Sequence, residues 1–371
     1  MSTPTDWDSA RAIIAAATAR QQPSLVPLAE AETHVTVDAL LAPRPLPHYD
    51  SSAMDGWAVR GAGPWTLGDG TAVPIVTGGP VPAWCDAVLP TEHAVRNGDV
   101  LSTAYSLPAG RHVRRAGDEA PAGTVLIDAG TRLRPPHLAL LAVAGFDAVT
   151  ARPTPSVALV FTGDEIDAEG MPSRGRVRDA FSPLLPPLVE RCGGTVEATA
   201  RLGDDEEAIA SALLAGSAPI RMTTGGTGWS RADAVRRALG LIGATLLVDG
   251  VSMRPGHPTL IATLPDGPLV IALPGNPLAA FLAALSFLPP ALDAASGACP
   301  VPLRRGVLGE ALGRPGSTTL VPVVEEDGTW RAVHGIRSHM LSGLTAAEAV
   351  AVVPGAGAAL GDSVRLLRLP W

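Results

Sequence analysis

Between residues 156 and 300 the chain repeats one pattern: an apolar run of β type, a turn rich in glycine and acids, then a stretch with helical spacing. Runs that are apolar throughout are buried on both faces, and strands separated by helices pair in parallel through crossovers. "SVALVFTGDE" ends in a Gly-acid turn, and "SPLLPPLVERCGG" reads as a helix with Ser182 as N-cap, Pro183 in first position and Gly193-Gly194 as terminator. "TVEATARL" is the next strand, and Asp204-Asp205 open the helix "EEAIASALLAG". "APIRMTTGG" then precedes the helix "RADAVRRALGLIG", and "PLVIAL", "PGNP" and "LAAFLAALSFL" close the unit. The expectation is one doubly wound α/β domain.

The flanks differ. Before 156, short apolar runs such as "AVPIVTGGPVPAWCDAVLP" and "GTVLIDAGTRL" are broken by Gly and Pro, which predicts mixed α/β and β subdomains flanked by helices at 7–20 and 135–145. After 300, "GVLGEAL", "TTLVPVV", "TWRAVHGI", "AEAVAVVPG" and "SVRLLRL" read as five short strands of a small β-barrel or sheet. A net charge of -8 and 4% aromatics argue against a nucleic-acid surface. All 28 basic residues are arginine, so any anion site uses guanidinium forks, backbone N–H groups or helix N-termini. Cys85, Cys192 and Cys299 form neither a disulfide ladder nor a CxxC pair, which reads as cytoplasmic. The N-terminus reads as an amphipathic helix rather than a signal peptide. The longest apolar helix, 278–288, is expected to stop at Pro289-Pro290, short of the ~20 residues that span a bilayer, so no membrane is expected.

Ligands of open α/β sheets bind beyond the carboxyl ends of the strands. "FTGDE" (161–165), "TTGGTGWSRAD" (223–233) and "LPGNP" (273–277) each follow an apolar run. Any one alone is equally an ordinary βα turn; three on one sheet edge make a pocket for a phosphorylated or otherwise anionic small molecule. Asp164, Glu165, Asp204, Asp205 and Asp233 accompany the glycines, and carboxylates beside a phosphate call for a divalent cation, with Mg²⁺ the natural candidate. Helix capping accounts equally for Asp204-Asp205, and a favourable first-turn charge for Asp233. In "MRPGHP" (253–258) Arg254 and His257 share a Pro-Gly turn, either solvated or facing a ligand, and Arg114-Arg115 is an anion clamp or a solvated loop.

"PHYDSSAMDGWAVR" (47–60) reads in isolation as a turn, because Gly56 tolerates positive φ and Asp55 can bond its own backbone. It also resembles the "P-x-x-x-x-S-A-M-D-G-Y-A" element of the molybdopterin molybdenumtransferase family. "VTGGPVPAWCDAVLPTE", "VRRAGDEAPAGTVLIDAGTRL", "FTGDEI", "MRPGHP", "LPGNP" and "GIRSHMLSGLTAAEAVAVVPG" resemble further family elements, in the family's order. The resemblance implies an N-terminal extended domain (1–50 with 110–155), an inserted β subdomain (51–109), a molybdopterin-binding α/β domain (156–300) and a C-terminal β-barrel (301–371). It implies a homodimer whose cleft lies between the α/β domain of one subunit and the SAMDG-bearing domain of the other. The implied chemistry is Mg²⁺-assisted insertion of molybdate into adenylyl-molybdopterin with release of AMP, with molybdopterin adenylyltransferase and apo-molybdoenzymes as candidate partners. Position by position, it implies catalytic roles for Asp55, Thr77, Glu165, Asp204 and Asp233, the last three also as metal ligands. Gly163, Asp164, Gly225, Gly226, Arg254, Pro274, Gly275, Pro277 and Ser338 are implied to bind substrate.

The chain also departs from that pattern. The family's "GGVSVGxxD" reads "GGTGWSRAD", with Gly228 for serine, Trp229 for a small apolar residue and Arg231 for an acid. "DSN" reads "DAF" with Ala180, "PGNPxS" carries Ala279, and Arg254 stands for lysine. "TTGGTG" is similar to molybdopterin adenylyltransferases, which share the α/β domain. Two alternatives follow: a non-catalytic paralogue that holds pterin or finished cofactor, and an adenylyltransferase-like activity.

Overall fold

The computed structural model describes residues 3–227 and 233–371, so Gly228, Trp229 and Arg231 lie outside the described residues. The chain divides into two compact units, one of Met1–Ser24, Thr33–Val35 and Ala151–Trp371, the other of Leu25–Glu32 and Thr36–Thr150.

In the first unit six strands, β1 (Ser156–Thr162), β2 (Thr195–Leu202), β3 (Ile220–Thr224), β4 (Thr245–Asp249), β5 (Leu260–Thr263) and β6 (Leu269–Leu273), lie in the order β2-β1-β3-β6-β5-β4. β2, β1, β3 and β6 run parallel, with Val157 opposite Ile220 and Ile220 opposite Leu269. β3 and β6 are buried along their whole length, as continuous apolar runs require. The sheet is nonetheless mixed: β5 runs antiparallel to both β6 and β4. Only "LPDGP" joins β5 to β6, too short for the crossover a parallel pair needs.

Two helix ends correct the sequence reading. The helix expected from Ser182 begins later, as Leu185–Arg191, and Ser182 is not its cap. Asp179 instead accepts from the N–H groups of Phe181 and Ser182 at 2.8 and 3.2 Å and pairs with Arg201. The apolar helix does not stop at Pro289-Pro290 but runs from Pro277 to Ser296. Pro290 has no N–H for the Ser286 carbonyl four residues earlier, and the Arg11 guanidinium donates to that carbonyl instead. The helix is long and apolar enough to cross a bilayer, at mean hydropathy 1.6, yet 78% of that window is buried inside the protein, as in a core helix. Arg11 lies on the helix Trp7–Ala17, whose Trp7, Ala10 and Ile14 are buried in the same core. This first helix is part of the first compact unit.

The five C-terminal strands are β7 (Arg304–Val307), β8 (Thr318–Glu326), β9 (Thr329–Ala332), β10 (Ala349–Val353) and β11 (Ser363–Arg368). They pair antiparallel along β8-β10-β11-β7, with β9 a hairpin on β8 and Met253–Arg254 parallel beside Thr318 and Thr319. A single bridge joins Leu308, just past β7, to Trp330 in β9.

The second unit holds the SAMDG segment. Gly56–Val59 is the central strand between Ala72–Ile75 and Ala87–Pro90, both antiparallel to it. Gly56 is required by close approach: a Cβ there would stand 2.0 Å from the Leu89 carbonyl oxygen. Val59, Trp65, Ala72, Leu89 and Leu101 form the local core.

Candidate active site

Strands β1, β3 and β6 are neighbours, so the three glycine loops emerge on one sheet edge. The Thr162 hydroxyl donates to the Thr224 carbonyl, and the Gly225 N–H donates to the Leu273 carbonyl at 3.1 Å. A Cβ on Gly275 would lie 3.7 Å from Gly225 Cα, which sets Pro274-Gly275 against the Gly225-Gly226 turn. Gly226 has φ +57, and a Cβ on it would meet the Val235 nitrogen at 2.9 Å, so only glycine fits this close to the start of the helix Ala234–Leu241. Among the described residues the hydroxyls of Thr223 and Thr224 and Oδ2 of Asp233 are buried without a hydrogen-bond partner. Unmet buried polar atoms at a strand end are what a polar ligand completes.

The acids gather on the flank of this edge. Asp164 Oδ1 accepts from the Asp204 N–H at 3.2 Å, and Glu165 folds over Gly163, where a Cβ would stand 2.9 Å from Glu165 Oε2. Burial, then the carboxylates of Asp164 and Glu165, push the Asp204 carboxyl above the usual range. Asp164 and Asp204 edge a cleft of about 540 Å³ with Asp205, Glu206, Glu207 and Arg237. Asp205 caps its helix, accepting from Glu207 and Ala208 at 2.9 and 3.0 Å. Asp233 is the N-cap of the next helix and is absent from the groups that shift Asp204. Among the described residues no three His, Cys, Asp or Glu side chains stand close enough to hold one metal ion. Sequence reasoning missed Arg176, which donates to the carbonyls of Asp164 and Ile166 at 2.9 and 3.2 Å and to Asp167 Oδ1 at 2.5 Å. Its only signal was the arginine run of "SRGRVRD".

A second, cationic locus lies in the same unit. The exposed Arg254 guanidinium has no partner among the described residues, nor has that of Arg314. Both border a cavity of about 360 Å³ with Ser317, Thr319 and Ile336, and Arg254 and Ser317 also border a neighbouring one of about 250 Å³ with His257. His257 Nδ1 donates to the Val251 carbonyl at 2.8 Å, which leaves Nε2 as its free ring nitrogen. The Ser338 carbonyl accepts from the Ala279 N–H at 3.2 Å in the first turn of the helix that Pro277 opens. A Cβ on Gly256 would lie 3.6 Å from the Ala279 carbonyl oxygen. "MRPGHP", "PGNP" and "RSH" therefore meet.

In the second unit, Asp55 is exposed and Oδ1 accepts from the Thr77 N–H at 2.6 Å. That N–H, then the Thr77 hydroxyl, hold its carboxyl below the usual range.

Residues 5–145 match the family model of the MoeA N-terminal region (domain I and II), and residues 158–294 that of a probable molybdopterin binding domain. A molybdopterin molybdenumtransferase of Synechococcus elongatus is 33% identical over 300 residues, 72% of this chain and 74% of that one. The chain belongs to the molybdopterin molybdenumtransferase family. Molybdopterin molybdenumtransferase 2 of Mycobacterium tuberculosis is 32% identical over 308 residues, 74% of this chain and 76% of its own. The molybdopterin biosynthesis moeA protein of Pyrococcus horikoshii OT3 superposes with a TM-score of 0.80 over 99% of this chain and all of that one; at 23% identity it shares the fold. This molybdenumtransferase family member is an enzyme of molybdenum-cofactor biosynthesis with a molybdopterin-related substrate. Within it, Ala279 is 3% exposed and carries only a methyl toward its surroundings, and its N–H is the group that bonds the Ser338 carbonyl.

Proposed function

We propose that this protein inserts molybdate into adenylyl-molybdopterin and releases AMP, acting as a cytoplasmic homodimer in which Asp55 of one subunit faces the glycine-lined edge of the other. The observation that carries the reading is the separation of charge within one unit: carboxylates crowded at Asp204, and guanidiniums at Arg254 and Arg314 that have no partner among the described residues. A diphosphate beside the acids needs a cation. Mg²⁺ keeps most of its waters and is held by one or two carboxylates plus substrate phosphate oxygens, so one or two of Asp164, Glu165 and Asp204 would suffice to hold it without a three-acid cage. When bound, it supplies charge neutralisation to the diphosphate.

The chain's own residues do the rest. Backbone at Gly163, Gly225, Gly226 and Gly275 lets phosphate approach closely, the Thr223 and Thr224 hydroxyls donate to it, and Asp233 Oδ2 accepts from a donor group elsewhere on the substrate. Arg254 and Arg314 match the charge of a molybdate dianion, with the free nitrogen of His257 at the neighbouring cavity and Ser338 on the adjoining loop. Asp55, ionised and oriented by Thr77, is the acting carboxylate of the second unit. The Leu308–Trp330 bridge supports closure of the C-terminal strands into a small barrel.

The test is incubation with adenylyl-molybdopterin, molybdate and Mg²⁺, reading AMP and reconstitution of an apo-molybdoenzyme. The expected result is molybdate-dependent AMP release, lost about 100-fold or more in Asp55→Ala and Glu165→Ala, and a KM for molybdate raised about tenfold in Arg254→Ala. Tight pterin binding without turnover would point to a carrier, and ATP-dependent adenylylation to an adenylyltransferase; either overturns the proposal.

A further inference from the structure

The inserted β region carries three stacked rings that the proposed reaction does not use. His93 ends the short turn Thr91–His93 and lies flat on Tyr105, with ring centroids 4.1 Å apart and planes 3° apart. Tyr105 in turn stacks on His112 at 6.2 Å and 23°. The Tyr105 hydroxyl is 3.4 Å from His112 Nε2 and accepts from Arg111 at 3.1 Å. In the neutral tautomer that carries its hydrogen on Nδ1, Nε2 accepts the hydroxyl hydrogen and the hydroxyl oxygen is left to accept from Arg111. Both ends of the stack reach the Asp55 turn through the backbone. Thr91, two residues before His93, donates to the Asp55 carbonyl through its N–H and its hydroxyl at 3.0 and 3.1 Å. The His112 carbonyl accepts from the Ala53 N–H at 2.8 Å. His112 also holds φ +59, a left-handed conformation that asparagine adopts as readily.

We propose that the His93–Tyr105–His112 stack is a positioning device for the Asp55 turn, and that protonation of His112 loosens it. Only the catalytic consequence rests on the function proposed above. Protonation turns Nε2 into a donor, so the Tyr105 hydroxyl must reverse its bond and face two cationic donors, and it places a charge beside Arg111 and His93, with Glu92 the one opposing acid among its charged neighbours. Burial, then Arg111, already hold this imidazole below the usual histidine range, so it is neutral near pH 7. A neutral form favoured by the fold means that stability is lost as pH falls through the unfolded and then the folded value, and the loosening lies on the acid side.

Amide hydrogen exchange on the whole protein reads this directly, as the protection factor of the Ala53 amide. The expected result is a fall of about threefold or more between about pH 7.5 and about pH 5, with no such change at the central-strand Ala58 amide. His112→Asn, which accepts the left-handed backbone, should remove that pH dependence and the acid limb of AMP release with it. Tyr105→Phe keeps the stack but not the hydroxyl, and should show the low-protection state already at neutral pH. Unchanged Ala53 protection across this range, or a pH dependence that persists in His112→Asn, would overturn the proposal. If the exchange results hold while the wild-type protein releases no AMP, the reading of function fails and the positioning role stands.

Discussion

A carboxyl group that the fold pushes upward costs stability, and Asp204 is such a group. Burial and the carboxylates of Asp164 and Glu165 raise its folded value above 3.8, so the folded state binds the proton more tightly than the unfolded chain does. Stability is therefore fully present below the unfolded value and is lost as pH rises through the folded one. Asp204→Asn removes that loss. It is expected to stabilise the protein at neutral pH by up to about 1 kcal/mol, with the gain vanishing at strongly acid pH, while AMP release falls about 100-fold. Denaturant midpoints at both pH values check the first part, and an unchanged midpoint at neutral pH removes the claim of crowded charge. Gly56 makes the opposite case, a residue held for packing beside the acting Asp55. Its pro-Cβ position lies 2.0 Å from the Leu89 carbonyl oxygen in a central strand, so Gly56→Ala is expected to cost about 2–4 kcal/mol, read as lowered thermal stability.

At the scale of elements, the Arg11 and Pro290 pair shows why a local signal can mislead. Two consecutive prolines are a strong helix stop, yet the helix Pro277–Ser296 continues because a guanidinium 275 residues away in sequence satisfies the carbonyl that Pro290 leaves open. Arg11→Ala is expected to destabilise by about 1.5–3 kcal/mol, and by roughly 1 kcal/mol less in a Pro290→Ala background, where a helix N–H can take over. A double-mutant cycle from denaturant unfolding measures the difference; additive losses would show that Arg11 acts through packing on Trp7 alone. The same distinction sorts what could be read in advance. Asp205 as a cap, the buried runs of β1, β3 and β6 and the glycines after them depend on neighbouring residues, and they stand where the sequence puts them. The pairing of Asp179 with Arg201, the first helix on the α/β core and the hold of Arg176 on the acid loop depend on partners that only the folded chain brings near, whereas the antiparallel β5 follows from the short loop beside it.

For the whole molecule, the test concerns which subunit supplies which acid. Asp55 and Glu165 lie in separate compact units of the chain, and the proposed cleft joins them across a two-fold dimer. Asp55→Ala and Glu165→Ala protomers, each inactive alone, can be mixed and allowed to exchange. Random reassortment makes about half of the dimers mixed. In a mixed dimer with sites built across the interface, one site combines both altered residues and the other combines both native ones, so one of its two sites works. The expected recovery is about a quarter of wild-type AMP release. If each site drew both acids from one protomer, every site in the mixture would carry one altered residue and activity would stay at the level of the single variants. Light scattering on the same mixtures separates a failure to dimerise from a failure to complement. A dimer with no recovered activity would place Asp55 and Glu165 of one subunit in the same site.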